Sequence, residues 1–347
     1  MGQAISRLTI KGFKSIRCLE NFELRKCNIL IGPNGAGKSN FVSIFTFVDE
    51  MRKGSFDRYV QQHGGVERFF FLGTKFTDSA DIILDKIDLI LYPKTNGNVG
   101  LDLVTGMEEG RSVIKQIEGK AKEVITQLCK VMDCNFRVYH FHDTSMFAGL
   151  KRPGTKRDYE YLRPDASNLA AFLLFLRKKH EIEYQRIRET IQLAAPFFDD
   201  FLLRDSVDNP DETLLEWRQK GSDYPFLPSQ MSDGTLRFVC LATALLQPEP
   251  PSIILLDEPE LGLHPYALTL LAALIKKAAA KTQVIVSTQS AALIDHFEPQ
   301  DIIVVDRKND ESIFRRLNKA DLEVWLQDYS LGELWQKNIF GGRPGNV

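Results

Sequence analysis

The chain has 347 residues, 44% hydrophobic and 26% charged, which is enough for one large α/β core with an elaboration, or two domains, and excludes a disordered or fibrous chain. Its formal net charge of -2, from 44 basic and 46 acidic side chains, excludes a global pull towards nucleic acid, so any such contact must be a local patch. No apolar stretch has signal-peptide or membrane-span length, so a cytoplasmic chain with no membrane partner is expected, and Cys18, Cys27, Cys129, Cys134 and Cys240 read as reduced thiols at irregular spacing.

In chain order, the pattern predicts a strand over 5–10 and a strand over 24–31. Gly32-Pro33-Asn34-Gly35-Ala36-Gly37-Lys38-Ser39 follows and fits G-x-x-x-x-G-K-[ST] at every position. Helical spacing begins at Asn40 and runs to the Lys53-Gly54 stop. Strand, glycine-rich turn and helix are the context a phosphate-binding loop requires. Glycines let the backbone N–H groups of Asn34, Gly35, Ala36 and Gly37 turn inward, and the helix N-terminus adds a favourable dipole. Lys38 is expected to reach the β/γ-phosphates, Ser39 to hold Mg2+, and Asn40 to flank the nucleotide. The chain therefore reads as a binder of a nucleoside triphosphate, with ATP and Mg2+ as cofactors.

Beyond this loop, 56–75 is weakly patterned. Strands are predicted over 82–92 and 99–104 with a turn over 93–97, a helix over 112–132 and a strand over 136–141. A basic, turn-rich stretch follows, with Lys151, Arg152, Lys156, Arg157 and Arg163 interleaved with Tyr159 and Tyr161. It reads as a solvated loop or as a track for a nucleic-acid backbone with the tyrosines stacking on bases. A helix over 168–192 leads to short elements over 197–207, 214–218 and 224–228. Buried strands are predicted over 253–257 and 283–287, joined by a helix over 265–280 that starts at a first-turn proline, which means a partly parallel sheet covered on both faces. Closing strands over 302–306 and 312–317 precede a C-terminal helical segment with Trp325 and Trp335, read as packing or partner docking. The tail over 341–347 is expected to be mobile.

The apolar strand at 253–257 ends in Asp257 and Glu258. Ligands sit at the carboxyl ends of parallel strands, so Asp257 is assigned to Mg2+ and Glu258 to the water that attacks the γ-phosphate. Upstream, Ser232-Asp233-Gly234-Thr235 opens a helix over 236–246. Alone it is a capped helix start, with Ser232 or Asp233 as the cap.

Placed before the acidic strand, Gln230-Met231-Ser232-Asp233-Gly234-Thr235 resembles the signature turn of ATP-binding-cassette ATPases of the SMC/RecF branch. Leu8-Thr9-Ile10-Lys11-Gly12-Phe13-Lys14-Ser15 resembles the opening strand and turn of that family, and Glu260-Leu261-Gly262-Leu263-His264-Pro265 the loop that crosses its dimer interface. The resemblance covers about 5–49 and 226–306, and the middle of the chain is similar to stand-alone bacterial ATPases of this branch, some of whose relatives occur in phage-defence systems. It implies that Lys14 and Ser15 lie near the nucleotide and that Ser232 and Gly234 complete the site of a second subunit. Ser287-Thr288-Gln289-Ser290 stands where the family has its switch histidine. Gln289 can donate a hydrogen bond but cannot carry a proton, so slow turnover is expected. Gln61, Gln62 and Gln116 are candidates for the lid glutamine. His140, His142 and Asp143 carry ligand chemistry, but alternate strand residues share a face that Asp143 leaves, so structural roles are expected over a metal site. His264 is read either as an interface residue or as a helix cap.

The expected fold is α/β: a P-loop NTPase with an ATP-binding-cassette head, a mixed sheet plus antiparallel strands, and an inserted helical subdomain. The expected division is 1–107 for the N-terminal part of the head, 108–223 for a mainly helical insertion, 224–320 for the signature and acidic strand, and 321–347 for the C-terminal helical segment and tail. The expected catalytic residues are Lys38, Glu258 and Gln289. The expected function is an ATP-hydrolysing conformational switch that self-associates through ATP-sandwiched heads. It would serve a DNA-directed or phage-defence complex, touching DNA through Lys151, Arg152, Lys156 and Arg157. The alternatives are an ATP-gated scaffold or inhibitor of a toxin or nuclease that never touches DNA and, more weakly, a transporter ATPase subunit.

Overall fold

The computed structural model describes residues 5–85, 87–93, 99–108, 111–116, 135–206 and 209–342. The N-terminal half runs β1 (Arg7–Phe13), β2 (Ile16–Glu23), β3 (Cys27–Ile31), α1 (Lys38–Lys53), α2 (Phe56–Gln62), β4 (Ala80–Leu84), β5 (Ile87–Pro93), β6 (Val99–Glu108) and β7 (Arg111–Gln116). The middle contributes β8 (Phe136–Tyr139), β9 (Gly154–Thr155), α3 (Leu169–Lys179), α4 (Glu181–Ala194), β10 (Phe198–Leu202), β11 (Glu212–Thr213), β12 (Glu216–Gln219) and β13 (Pro225–Phe226). The C-terminal part carries α5 (Asp233–Leu246), β14 (Ile253–Asp257), α6 (Pro265–Ala279), β15 (Gln283–Thr288), α7 (Ala291–Ile294), β16 (Ile302–Lys308), β17 (Glu311–Arg316), α8 (Lys319–Leu322) and α9 (Leu331–Gln336).

A six-stranded mixed sheet has the order β17-β16-β3-β15-β14-β8, and all its pairs are parallel except β16 with β17. A second six-stranded sheet, β2-β1-β4-β5-β6-β7, is antiparallel throughout. Side-chain alternation along the mixed sheet explains the layers. Leu30, Ile253, Leu255, Ile285, Ile303 and Val305 point to one face, where they pack with Phe41, Ile44 and Phe45 of α1 and with Leu8, Ile10 and Phe13 of the antiparallel sheet. Ile29, Ile31, Ile254, Leu256, Val284 and Val286 point to the other, against Leu236, Leu241, Leu271 and Ile275 of α5 and α6. Helix α1 thus lies between two sheets, which is why it is apolar around most of its circumference. Gly54 closes it in the left-handed region (φ 74°), its N–H donating to Met51 O at 3.0 Å.

Several expectations change. The strand read over 82–92 is two strands, broken at Asp85 (φ 51°), whose carboxylate accepts from the Ser6 and Arg7 amides at 3.0 and 2.8 Å. The helix read over 112–132 is a strand as far as Gln116, paired with β6, and the rest of it lies outside the described residues, as do Cys129 and Cys134. Pairing with the strand just before it outweighs helical periodicity here. The helix over 168–192 breaks at His180 into α3 and α4. The stretch expected as a mainly helical insertion also supplies β8 to the mixed sheet, β10 and β12 to the small sheet β10-β12-β13, and the pair β11-β9. Gly342, at the start of the expected tail, is tied down: its N–H donates to Asp306 Oδ1 at 2.8 Å and its carbonyl accepts from Trp335 Nε1 at 2.9 Å. Among the described residues no helix is long and apolar enough to cross a membrane, and Cys18, Cys27 and Cys240 are free thiols.

Candidate functional site

Strand β3 delivers the chain to Gly32 at the carboxyl edge of the mixed sheet, and the glycine-rich turn ends at the first residue of α1. Gly37 sits at φ 111°, and a Cβ there would meet Ser312 Oγ at 2.0 Å, so only glycine fits. The Lys38 ammonium is buried against the loop, donating to Gly32 O at 2.8 Å and Pro33 O at 3.0 Å. Burial lowers its pKa, and the nearby carboxylates of Glu258, Asp257 and Glu260 oppose that shift. Asn34, Gly35 and Ser39 are exposed along the loop, whereas Ala36 is buried beneath it.

The turn between β1 and β2 is fastened to this loop. Ser15 Oγ shares a 2.6 Å hydrogen bond with Ser312 Oγ and accepts from Asn40 Nδ2 at 2.7 Å. Lys14, in the left-handed region (φ 51°), donates to Ser43 Oγ of α1 at 2.8 Å, and burial pushes its pKa down to about 8. Arg307, near the end of β16, donates to Gly35 O at 3.4 Å. Sequence reasoning missed Ser312 and Arg307. Each is a lone polar residue on a closing strand, with no local motif to mark it.

Next to β3 lie β15 and then β14, so Gln289 and the two acids arrive on the same edge. Glu258 takes the left-handed region (φ 44°), its N–H held by Ser287 O at 2.8 Å, and its Oε1 accepts from Gln289 Nε2. Glu260 accepts from Thr288 Oγ1 at 2.6 Å and from the Gln289 N–H at 2.9 Å, and burial raises its pKa. Asp257 Oδ1, Glu260 Oε2 and Ser287 Oγ are buried with no hydrogen-bond partner among the described residues. A buried partnerless carboxylate oxygen at a strand end fits a divalent cation, since an uncompensated charge there is otherwise costly. Among the described residues no group of three or more His, Cys, Asp or Glu could hold a metal alone, so such a cation would depend on phosphate oxygens as well.

The histidines of the middle segment surround Asp257. His140 Nδ1 stands 3.7 Å from Asp257 Oδ2, and His142 Nε2 is 2.8 Å from the Asp257 carbonyl. Burial lowers the His140 pKa, Asp257 opposes that shift, and His142 adds to it. Asp143 turns away and caps the Ser145 N–H at 2.9 Å. Gln61 and Gln62 are exposed at the end of α2, and Gln116 ends β7 at the edge of the other sheet.

Ser232 is the N-cap of α5, accepting from the Thr235 N–H at 3.2 Å. Gly234 packs so tightly on the loop after the acids that a Cβ would meet Gly262 O at 2.2 Å. Arg237, one turn on, donates to Leu261 O and to His142 O, both at 3.0 Å. His264 is a helix cap, its Nδ1 accepting from the Tyr266 N–H at 3.3 Å. The basic stretch is largely committed within the protein. Lys151 is partly buried and 3.6 Å from Asp233, Lys156 pairs with Asp205 at 2.5 Å, and Arg163 pairs with Asp158 at 2.5 Å. Tyr159 stacks on Phe175 at 4.9 Å and Tyr161 carries the Arg137 guanidinium at 4.3 Å. Arg152 and Arg157 are left exposed, Arg152 over the Phe147 ring at 5.8 Å.

Residues 137–295 match the model of a family described as "AAA domain, putative AbiEii toxin, Type IV TA system". The match spans the acidic strand, the signature turn and Gln289, and leaves the phosphate loop outside it. No curated protein matches the chain. Among solved structures, an SMC head bound to the C-terminal winged-helix domain of ScpA aligns with a TM-score of 0.63 at 18% identity, over 92% of this chain and 99% of that one. A Pyrococcus furiosus SMC head with an extended coiled coil, bound to the C-terminal domain of ScpA, gives 0.60 at 17% identity, over 94% and 99%. A Pyrococcus yayanosii SMC head with a coiled coil and joint gives 0.58 at 13%, over 94% and 99%. A glycine-rich loop between a parallel strand and a helix, beside an acidic strand end, defines a P-loop NTPase fold. The chain shares its fold with the SMC heads over more than nine-tenths of its length.

Proposed function

We propose that the protein is an ATP-driven switch that hydrolyses ATP to ADP and phosphate, with each active site completed by a second copy of the chain. The observation that carries this reading is the convergence of Lys38, Gln289, Glu258 and Asp257 on adjacent strand ends of one sheet edge. Backbone N–H groups from Asn34 to Asn40 cradle the phosphates, and Lys38 leaves its loop carbonyls to stabilise charge on the transferred group. Ser39 and Asp257 would hold Mg2+, which would supply positive charge against that of the phosphates. Glu258 orients the attacking water and is itself oriented by Gln289. Lys14, Ser15, Asn40, Arg68 and Arg307 line an open cleft of about 590 Å³ beside the loop, room for the nucleoside. Ser232 and Gly234 face the γ-phosphate bound by the partner copy, so ATP draws two heads together and hydrolysis releases them.

Phosphate release tests the chemistry. Lys38→Ala is expected to lose ATP binding, and Glu258→Gln to retain it while turnover falls about 100-fold or more. Wild-type turnover by Glu258→Gln contradicts the assignment.

The switch serves a complex in the cytoplasm, DNA-directed or defensive. A second reading, a protein partner such as a toxin or nuclease held in check without DNA contact, is favoured by the commitment of Lys151 and Lys156 to Asp233 and Asp205. Arg152→Glu with Arg157→Glu separates the two readings without disturbing those pairs. DNA binding that collapses in the double variant supports the first, and absence of DNA binding in both proteins supports the second.

A further inference from the structure

The edge strand β8 pairs in parallel with β14, Tyr139 opposite Leu256, so the register continues to set His140 beside Asp257. The 3.7 Å between His140 Nδ1 and Asp257 Oδ2 is too long for a hydrogen bond. At this separation both atoms can reach one cation at about 2.1 Å from each, set to the side of the line that joins them. The His140 side chain is 44% exposed and its backbone N–H is fixed by Pro164 O at 3.0 Å, so the ring is both reachable and placed. His142 differs: its Nε2 is already engaged with the Asp257 carbonyl. The other Asp257 oxygen, Oδ1, is buried without a partner among the described residues. An imidazole nitrogen and a carboxylate thus converge at the acidic strand end.

We propose that His140 is a direct ligand of the divalent cation held by Asp257 and Ser39, giving the nucleotide site a nitrogen donor and a preference for Mn2+ over Mg2+. The inference rests on the nucleotide-binding reading above. Mg2+ demands hard oxygen ligands and dehydrates reluctantly, whereas imidazole suits the transition metals. The same site with only Ser39, Asp257 and phosphate oxygens would show no such bias.

Pulsed electron paramagnetic resonance of the full chain with Mn2+ and ATP reads the ligands directly, without catalysis. Phosphorus coupling reports nucleotide on the bound cation, and 14N coupling reports a coordinated nitrogen. Wild-type protein is expected to show both. His140→Gln, which exchanges the imidazole for an amide oxygen at a half-exposed strand end, is expected to keep the phosphorus coupling and lose the nitrogen. Its Mn2+ affinity relative to Mg2+ should fall about tenfold. Phosphorus coupling without nitrogen in the wild type overturns the proposal and leaves the nucleotide reading intact. Nitrogen coupling that survives His140→Gln also overturns it, because the donor is then the nucleotide or another residue. Absence of phosphorus coupling contradicts the nucleotide reading, and the His140 assignment falls with it.

Discussion

Lys14 is an ammonium carried into the protein beside the phosphate loop, its ordinary pKa of 10.5 lowered to about 8 by burial. Between those values the unfolded chain binds more protons than the folded one, so this residue makes stability rise with pH across that window. Lys14→Met removes the effect. The melting-temperature advantage of the variant over the wild type is expected to be largest below pH 8 and to shrink as pH approaches 10.5; a gap that stays constant contradicts the burial of this charge. At this scale the motifs are what the sequence makes legible. Lys38, Ser39, Asp257 and Glu258 are readable because phosphate and cation chemistry dictates residue type at fixed local spacing. The positive φ that turns Glu258 back onto Gln289 is not, because a lone glutamate after an aspartate carries no turn signal. Nor is the Ser15–Ser312 bond, which joins residues 297 positions apart.

Helix α5 and the loop after β14 act as one element. Gly234 lies against Gly262, and the Arg237 fork joins the helix to Leu261 and His142. Gly234→Ala must push the loop away, and Arg237→Ala removes the two hydrogen bonds that tie the helix to the loop and to His142. Both variants are expected to bind ATP through the intact phosphate loop and to lose turnover. Arg237→Lys is not expected to rescue, since an ammonium lacks the planar fork that reaches two carbonyls. Nucleotide affinity that falls as steeply as turnover would assign these residues to binding instead. Elements buried on both faces, β14 and β15 above all, announce themselves as continuous apolar runs. Strand β2 does not: its buried residues Ile16 and Leu19 are three apart among exposed neighbours, a spacing that fits a helical face and not the period of 2 of a strand. Strand β7 is likewise masked by a helical pattern that its pairing with β6 overrides.

At the scale of the whole molecule, α1 packs between the two sheets, and Lys38, Gln289, Asp257 and Glu258 lie at or just beyond neighbouring strand ends of one sheet edge. The internal pairing of Lys151 and Lys156 leaves Arg152 and Arg157 as the exposed basic side chains of that stretch, and in the proposed reading the partner that completes the site is another head. Exposed Met146 and Phe147, on the loop that Lys151 braces beside Asp233, give that face apolar area to bury. The proposed division of labour between copies is legible in the sequence only as the separation of the phosphate loop from Ser232 along the chain. The most direct measurement is the solution mass of Glu258→Gln protein with and without Mg-ATP, with ATP binding measured in parallel. The account predicts a shift from monomer towards dimer only when ATP is bound. A mass that ignores bound ATP contradicts the shared site.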